Sequence, residues 1–89
     1  MEKLRNCHGK IKDHDTFHKF LKCLLHDLDS NKDDWENRTL EEYLRSLESW
    51  VGDMDGYYTN MGRESEFQEM TSQSWRVFAD MLMAARIYE

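Results

Sequence analysis

Trp35-Glu36-Asn37-Arg38-Thr39-Leu40-Glu41-Glu42-Tyr43-Leu44 decides the reading of this chain. Thr39-Leu40-Glu41-Glu42 is a capping box: the Thr39 hydroxyl accepts the Glu42 amide proton, and the Glu42 carboxylate reaches back to the backbone before it. A helix therefore starts at Thr39. From there Leu40, Tyr43, Leu44, Leu47, Trp50, Val51 and Met54, with Tyr58 if the helix continues, stay within one stripe at about 100° per residue. Gly52 and Gly56 weaken its end, each by roughly 1 kcal/mol relative to alanine, and Gly56 is the expected stop.

Working outward, a second amphipathic segment precedes this one. Asp13 is the expected N-cap, with Asp15 in the first turn, and Phe17, Phe20, Leu21, Leu24, Leu25 and Leu28 form a stripe. Lys19, Lys22, Cys23 and His26 fall on or beside the opposite face. The polar run Ser30 to Asp34 is a turn. A third helix is expected from about Trp75, capped by Ser72 or Ser74. Its apolar residues make two stripes: Trp75, Phe78, Ala79, Leu82 and Ala85, then Val77, Met81, Ala84 and Tyr88. A helix apolar on so many sides is usually covered on two of them, so it is expected to be the central element. Residues 59–74 form a long connection, of the kind that is functional, mobile or hides a short helix. Residues 1–12 are weakly patterned and read as a short helical turn or a loosely structured arm. There are no prolines and no alternating runs. The expected fold class is all-α: a small antiparallel three-helix bundle with room for a short extra helix. It forms a single domain over 1–89, with helices near 14–29, 39–56 and 75–88.

Composition narrows the function. The 89 residues carry a formal charge of −6, against the basic footprint of nucleic-acid binders. Mean hydropathy is low, at −0.90. No stretch approaches the roughly 20 apolar residues of a membrane-spanning helix. No secretory leader is read at the start, so cytoplasm is the expected location. Cys7 and Cys23 are then expected as reduced thiols, a disulfide between them being the alternative.

Three constellations invite chemistry. Cys7, His8, His14, His18, Cys23 and His26 have metal-like composition, but Cys23 and His26 point away from His14 and His18. Surface histidines are the preferred reading. Asp53, Asp55 and Glu64 match positions one, three and twelve of a calcium loop. Tyr57 and Tyr58 stand where an oxygen ligand and a glycine are required, which decides against it. No nucleophile sits beside a base and no phosphate cradle occurs, so no enzyme, metal or cofactor is expected. What remains is an aromatic–acidic surface: Asp33, Asp34, Trp35, Glu36, Asp53, Asp55 and Tyr57, the candidate partner-binding residues. Trp35 is also placed to staple the entry of the helix at Thr39.

The ordered series Ile11, Phe17-x-x-Phe20-Leu21, Trp35-Glu36-Asn37, Thr39-Leu40-Glu41, Trp50-Val51, Asp53-Met54, Gly56-Tyr57-Tyr58, Phe78-Ala79-Asp80 and Ile87-Tyr88-Glu89 resembles a small bacterial family of unknown function. It covers residues 11–89. Glu66 to Ser74 departs from the pattern, which has a proline-containing connection there. The resemblance implies, by analogy with small acidic bacterial proteins, an immunity protein that binds and blocks a toxin, such as a basic nuclease domain. The alternatives are a self-associating structural or regulatory adaptor and, behind it, a small enzyme or metal protein. The partner is expected to be a protein, with no nucleic acid and no membrane. The sequence leaves open the oligomeric state, the partner and the exposure of Tyr57.

Overall fold

The computed structural model describes residues 2–89. Among them every regular element is helical: α1 Glu2–Gly9, α2 His14–Ser30, a single 3₁₀ turn Lys32–Asp34, α3 Leu40–Asn60, α4 Glu64–Gln68 and α5 Ser72–Ala85. The fold class is all-α. The chain forms two compact units, one ending at Ser46 and one from Leu47 to Glu89. No helix of the described residues is long and apolar enough to cross a membrane.

Local sequence explains the helix starts. Asp13 caps α2: its Oδ1 accepts from the Thr16 amide at 2.9 Å, and the Thr16 hydroxyl accepts from the Asp13 amide at 3.0 Å. The expected box at α3 forms, with the Glu42 amide donating to Thr39 Oγ1 at 3.1 Å. Glu42 Oε1 accepts from the amides of Thr39 (3.2 Å) and Arg38 (3.0 Å). For α5 the cap is Thr71, not Ser72 or Ser74. Thr71 Oγ1 accepts from the Ser74 amide at 3.1 Å, and Ser74 serves as the returning third residue. The connection 59–74 does hold a short helix, α4.

In the first unit, the segment expected as a helical turn or a loose arm is a two-turn helix packed on α2. It is held there by a Cys7–Cys23 disulfide, Cα atoms 6.7 Å apart. This corrects the expectation of free thiols. The reason is helical register: α2 turns Phe17, Phe20, Cys23, Leu24 and Asp27 toward the interior of the unit, bringing Cys23 under α1. His8 adds an edge-on contact to Phe20 at 5.9 Å, and Phe17 stacks on Phe20 at 6.3 Å.

In the second unit, α3 does not stop at Gly56. It continues to Asn60 and ends in a Schellman turn at Gly62, whose φ of +70° lies in the left-handed region. The Arg63 amide donates to Tyr58 O at 2.8 Å and the Gly62 amide to Thr59 O at 3.1 Å, satisfying the last carbonyls. A side chain at Gly56 would meet nothing within 4 Å. Two substitutions should therefore act with opposite sign in chemical denaturation. Gly56→Ala is expected to stabilise by about 0.5–1 kcal/mol, through helix propensity. Gly62→Ala is expected to destabilise by about 1 kcal/mol, through left-handed strain.

Packing in this unit runs along a chain of rings. Trp50 meets Tyr57 (5.6 Å) and Tyr58 (6.5 Å), Tyr58 stacks on Phe67 (6.0 Å), Phe67 meets Trp75 (6.0 Å), and Trp75 meets Phe78 (6.2 Å). The Arg63 guanidinium lies 5.2 Å from the Tyr58 ring centre and forks onto Glu66 at 2.8 and 2.9 Å. The ring chain reaches only the first turns of α5. The expectation that this helix is covered on two sides is not met: α5 buries none of its residues, and Phe78 and Leu82 are 41% and 51% exposed.

Candidate functional site

The best-defined polar arrangement centres on Asp27 and Trp35, in the first unit. Asp27 lies on the inward face of α2 and is only 6% exposed. Its Oδ1 accepts from Asn31 Nδ2 and its Oδ2 from Trp35 Nε1, both at 2.8 Å. Its main-chain oxygen accepts from the Asn31 amide, closing α2. A buried carboxylate needs such donors, because desolvating an unpaired charge is costly. Trp35, set at the exit of the 3₁₀ turn, also stacks on Tyr43 of α3 at 6.2 Å. It thus joins α2 to the start of α3 and staples the helix entry, as its position suggested.

Arg38 locks the intervening loop. Its Nε donates to Trp35 O at 2.9 Å and its Nη2 to Asp33 O at 3.2 Å, while Nη1 lies 3.7 Å from Asp33 Oδ1. An ion pair so exposed contributes little to stability, so the backbone contacts carry most of the ordering.

The Asn31 amide and the Trp35 indole hold the Asp27 carboxyl below its ordinary 3.8. Glu42 lies below 4.5 because the amides of Thr39 and Arg38 donate to it, and Asp13 is lowered by Thr16. Glu66 is lowered by the Arg63 fork. A carboxylate with a depressed folded-state pKa contributes stability above its ordinary value, and loses it as pH falls through the depressed one. Thermal midpoints should then be flat above about pH 5 and drop steadily on acidification below it. Asp27→Asn should shallow that acid limb, and melts recorded from pH 6 downward check both statements.

The candidate partner-binding residues fall into two groups. Asp33, Asp34, Trp35 and Glu36 surround the 3₁₀ turn in the first unit, whereas Asp53, Asp55 and Tyr57 lie on α3 in the second. The carboxylates of both groups are exposed. Trp35 is half-buried and bonded to Asp27. Tyr57 is exposed along one side, with its ring 5.2 Å from Tyr58. Asp53 and Asp55 sit within a continuous helix, so no calcium-type loop exists there. Cys7 and Cys23 are spent on each other, and His14 and His18 lie with rings 6.3 Å apart. Among the described residues no three His, Cys, Asp or Glu side chains gather to hold a metal ion.

The sequence reading missed an open apolar groove of about 310 Å³ beside this cluster. Leu21, Leu25 and Leu28 of α2 form one wall, and Leu40 and Tyr43 of α3 the other, with Trp35 between them. Leu25 and Leu40 are 62% and 75% exposed. A second hollow of about 260 Å³ shares Trp35 and Tyr43 and adds Leu4, Asp27, Asp34 and Glu36. One signal for this site was available: Asp27 falls in register with Phe20 and Leu24, eight residues before a tryptophan. An acid within an apolar stripe requires a donor, and Trp35 supplies it.

Neither a curated protein nor a solved structure matches this chain. A family model does match, over residues 13–89, and the chain belongs to that family, DUF7660, a family of unknown function. Both groups of candidate residues and the groove lie within the matched span, whereas Cys7 and the rest of α1 lie before it.

Proposed function

We propose that this chain is a non-enzymatic protein-binding module, most specifically an immunity protein that binds and neutralises a bacterial toxin carrying a basic nuclease domain. One observation carries the reading: an open apolar groove adjoins exposed carboxylates around Trp35. Apolar contact supplies affinity at such a surface, and the surrounding charge steers a basic partner onto it. Asp53, Asp55 and Tyr57 offer a further acidic–aromatic surface on α3. Neutralisation would be steric, by covering a basic active site. The link to toxins is an analogy from small acidic bacterial proteins of this size. The proposed location is the cytoplasm. There the thiol pool would keep Cys7 and Cys23 reduced, so the oxidised pair in the structure weighs against that part of the proposal.

The direct test is co-expression with the product of the neighbouring gene. Complex formation and rescue of growth are expected. No binding, together with no rescue of a strain poisoned by that product, would end this reading.

A second reading has its own support. Val77, Met81 and Tyr88 are exposed at or beyond α5, Tyr88 at 87%, which suits a self-associating adaptor. Sedimentation separates the two. A tight dimer broken by Val77→Asp favours the adaptor, and a monomer at micromolar concentration favours the immunity protein.

A further inference from the structure

We propose that the two hollows sharing Trp35 and Tyr43 form one docking site for an amphipathic helix with aliphatic side chains on one face and lysine or arginine beside them. This rests on the protein-binding reading and names the partner's chemistry. The aliphatic side chains enter the groove between Leu21 and Leu25 of α2 and Leu40 of α3. The cation enters the neighbouring hollow, which Asp34 and Glu36 line together with Trp35 and Tyr43.

Charge selects this occupant. From Asp27 to Glu42 the chain carries seven carboxylates against two cations, Lys32 and Arg38. Five of the six net negative charges of the whole chain are thus concentrated in this stretch. Arg38 is already engaged with Asp33 and two main-chain oxygens. Among the described residues, neither the Asp34 nor the Glu36 side chain has an ion-pair or hydrogen-bond partner. A cation placed there gains two carboxylates and a ring face without displacing an existing bond. The walls select a helix over a small molecule. Small-molecule sites enclose most of their ligand, and the prominence of Leu25 and Leu40 leaves this groove open along its side. Grooves between helices take apolar residues spaced three and four apart on a partner helix.

The test uses three synthetic helical peptides of equal length: leucine stripe with lysine flanks, the same stripe with glutamate flanks, and lysine flanks with serine in place of leucine. Each is titrated into the isotopically labelled full chain. Saturable shifts are expected for the leucine–lysine peptide at the Trp35 indole N–H and at the methyls of Leu21, Leu25 and Leu40. Affinity should fall at least about tenfold for each of the other peptides, and by a similar factor in the double variant Leu25→Ser, Leu40→Ser. Both positions are exposed, so this variant keeps its fold, and the Trp35 indole signal monitors that. Equal binding of the glutamate peptide, or no shifts at these groups, would overturn the proposal. So would a chain that is dimeric on its own and becomes monomeric in the double variant, because a second copy then fills the groove. Shifts confined to residues from Leu47 onward would remove the groove while leaving a protein-binding module that uses Asp53, Asp55 and Tyr57.

Discussion

Removing the Cys7–Cys23 bridge is expected to cost the first unit about 3 kcal/mol, the figure for a closed loop of this length. The two cysteines are 16 residues apart in sequence. In α1, Leu4 is the only bulky aliphatic side chain, and a helix of eight residues is far below the length that persists alone in water. The bond therefore supplies most of what keeps α1 on α2. Its remaining contacts are modest: the edge of His8 against Phe20, and Leu4 near Asp27 and Trp35. In Cys7→Ser, Cys23→Ser, or after reduction, α1 amides should lose hydrogen-exchange protection while those of α2 from Asp27 onward keep theirs. A melt indifferent to reductant would contradict this. The prediction also bears on function, since α1 lies before the residues shared with the family. The chain lacking both cysteines should keep the binding given by the groove between α2 and α3, which no residue of α1 lines, and lose only what Leu4 adds to the neighbouring hollow.

Trp35→Ala is expected to cost about 3 kcal/mol, the low end for deleting a large aromatic because the ring is only half-buried. It removes both the indole donor to Asp27 and the stack on Tyr43. Asp27 is then left with fewer donors inside the unit, which adds to the loss. Trp35→Phe separates the two contributions. It keeps a ring for Tyr43 and removes the N–H, so it should recover part of the stability and none of the indole bond. If Trp35→Ala unfolds at the same denaturant concentration as the parent chain, the residue is not the joint described above.

Much of this fold was legible because capping is local. Asp13 and the Thr39–Glu42 box each act within four residues, so the starts of α2 and α3 could be read from sequence. The errors arose where distant contacts override local preference. Gly56 looks like a stop, but two glycines cost a helix only about 2 kcal/mol. Contacts among Trp50, Tyr57 and Tyr58 along the same helix offset this. The true stop, Gly62, is set by a left-handed backbone angle and the two hydrogen bonds of its turn. At α5 three neighbouring hydroxyl residues compete, and Thr71 is the one whose partner three positions on returns the hydrogen bond. The face of α2 was misread because apolar periodicity ranks Leu21 and Leu25 as inward and Cys23 as outward. A disulfide and a bonded carboxylate reverse that order, and neither enters a hydrophobicity count.

The candidate site was half legible for the same reason. Of the acidic–aromatic cluster Asp33, Asp34, Trp35 and Glu36, the last three line the hollow beside the groove, and Asp33 pairs with Arg38. Trp35 reads both as a staple of the helix entry and as an anchor for a partner, and its bond to Asp27 and stack on Tyr43 give it the first role. Leu25, Leu40 and Tyr43, which build the groove, were assigned to the core by their periodicity.

The free chain holds the Trp35 indole on Asp27 while leaving the neighbouring leucines open to a partner. Paramagnetic relaxation by a soluble, uncharged probe measures both halves at once. Strong relaxation of the Leu25 and Leu40 methyls is expected together with a protected Trp35 indole proton. Shielded methyls, or an indole proton as accessible as those of Trp50 and Trp75, would contradict it.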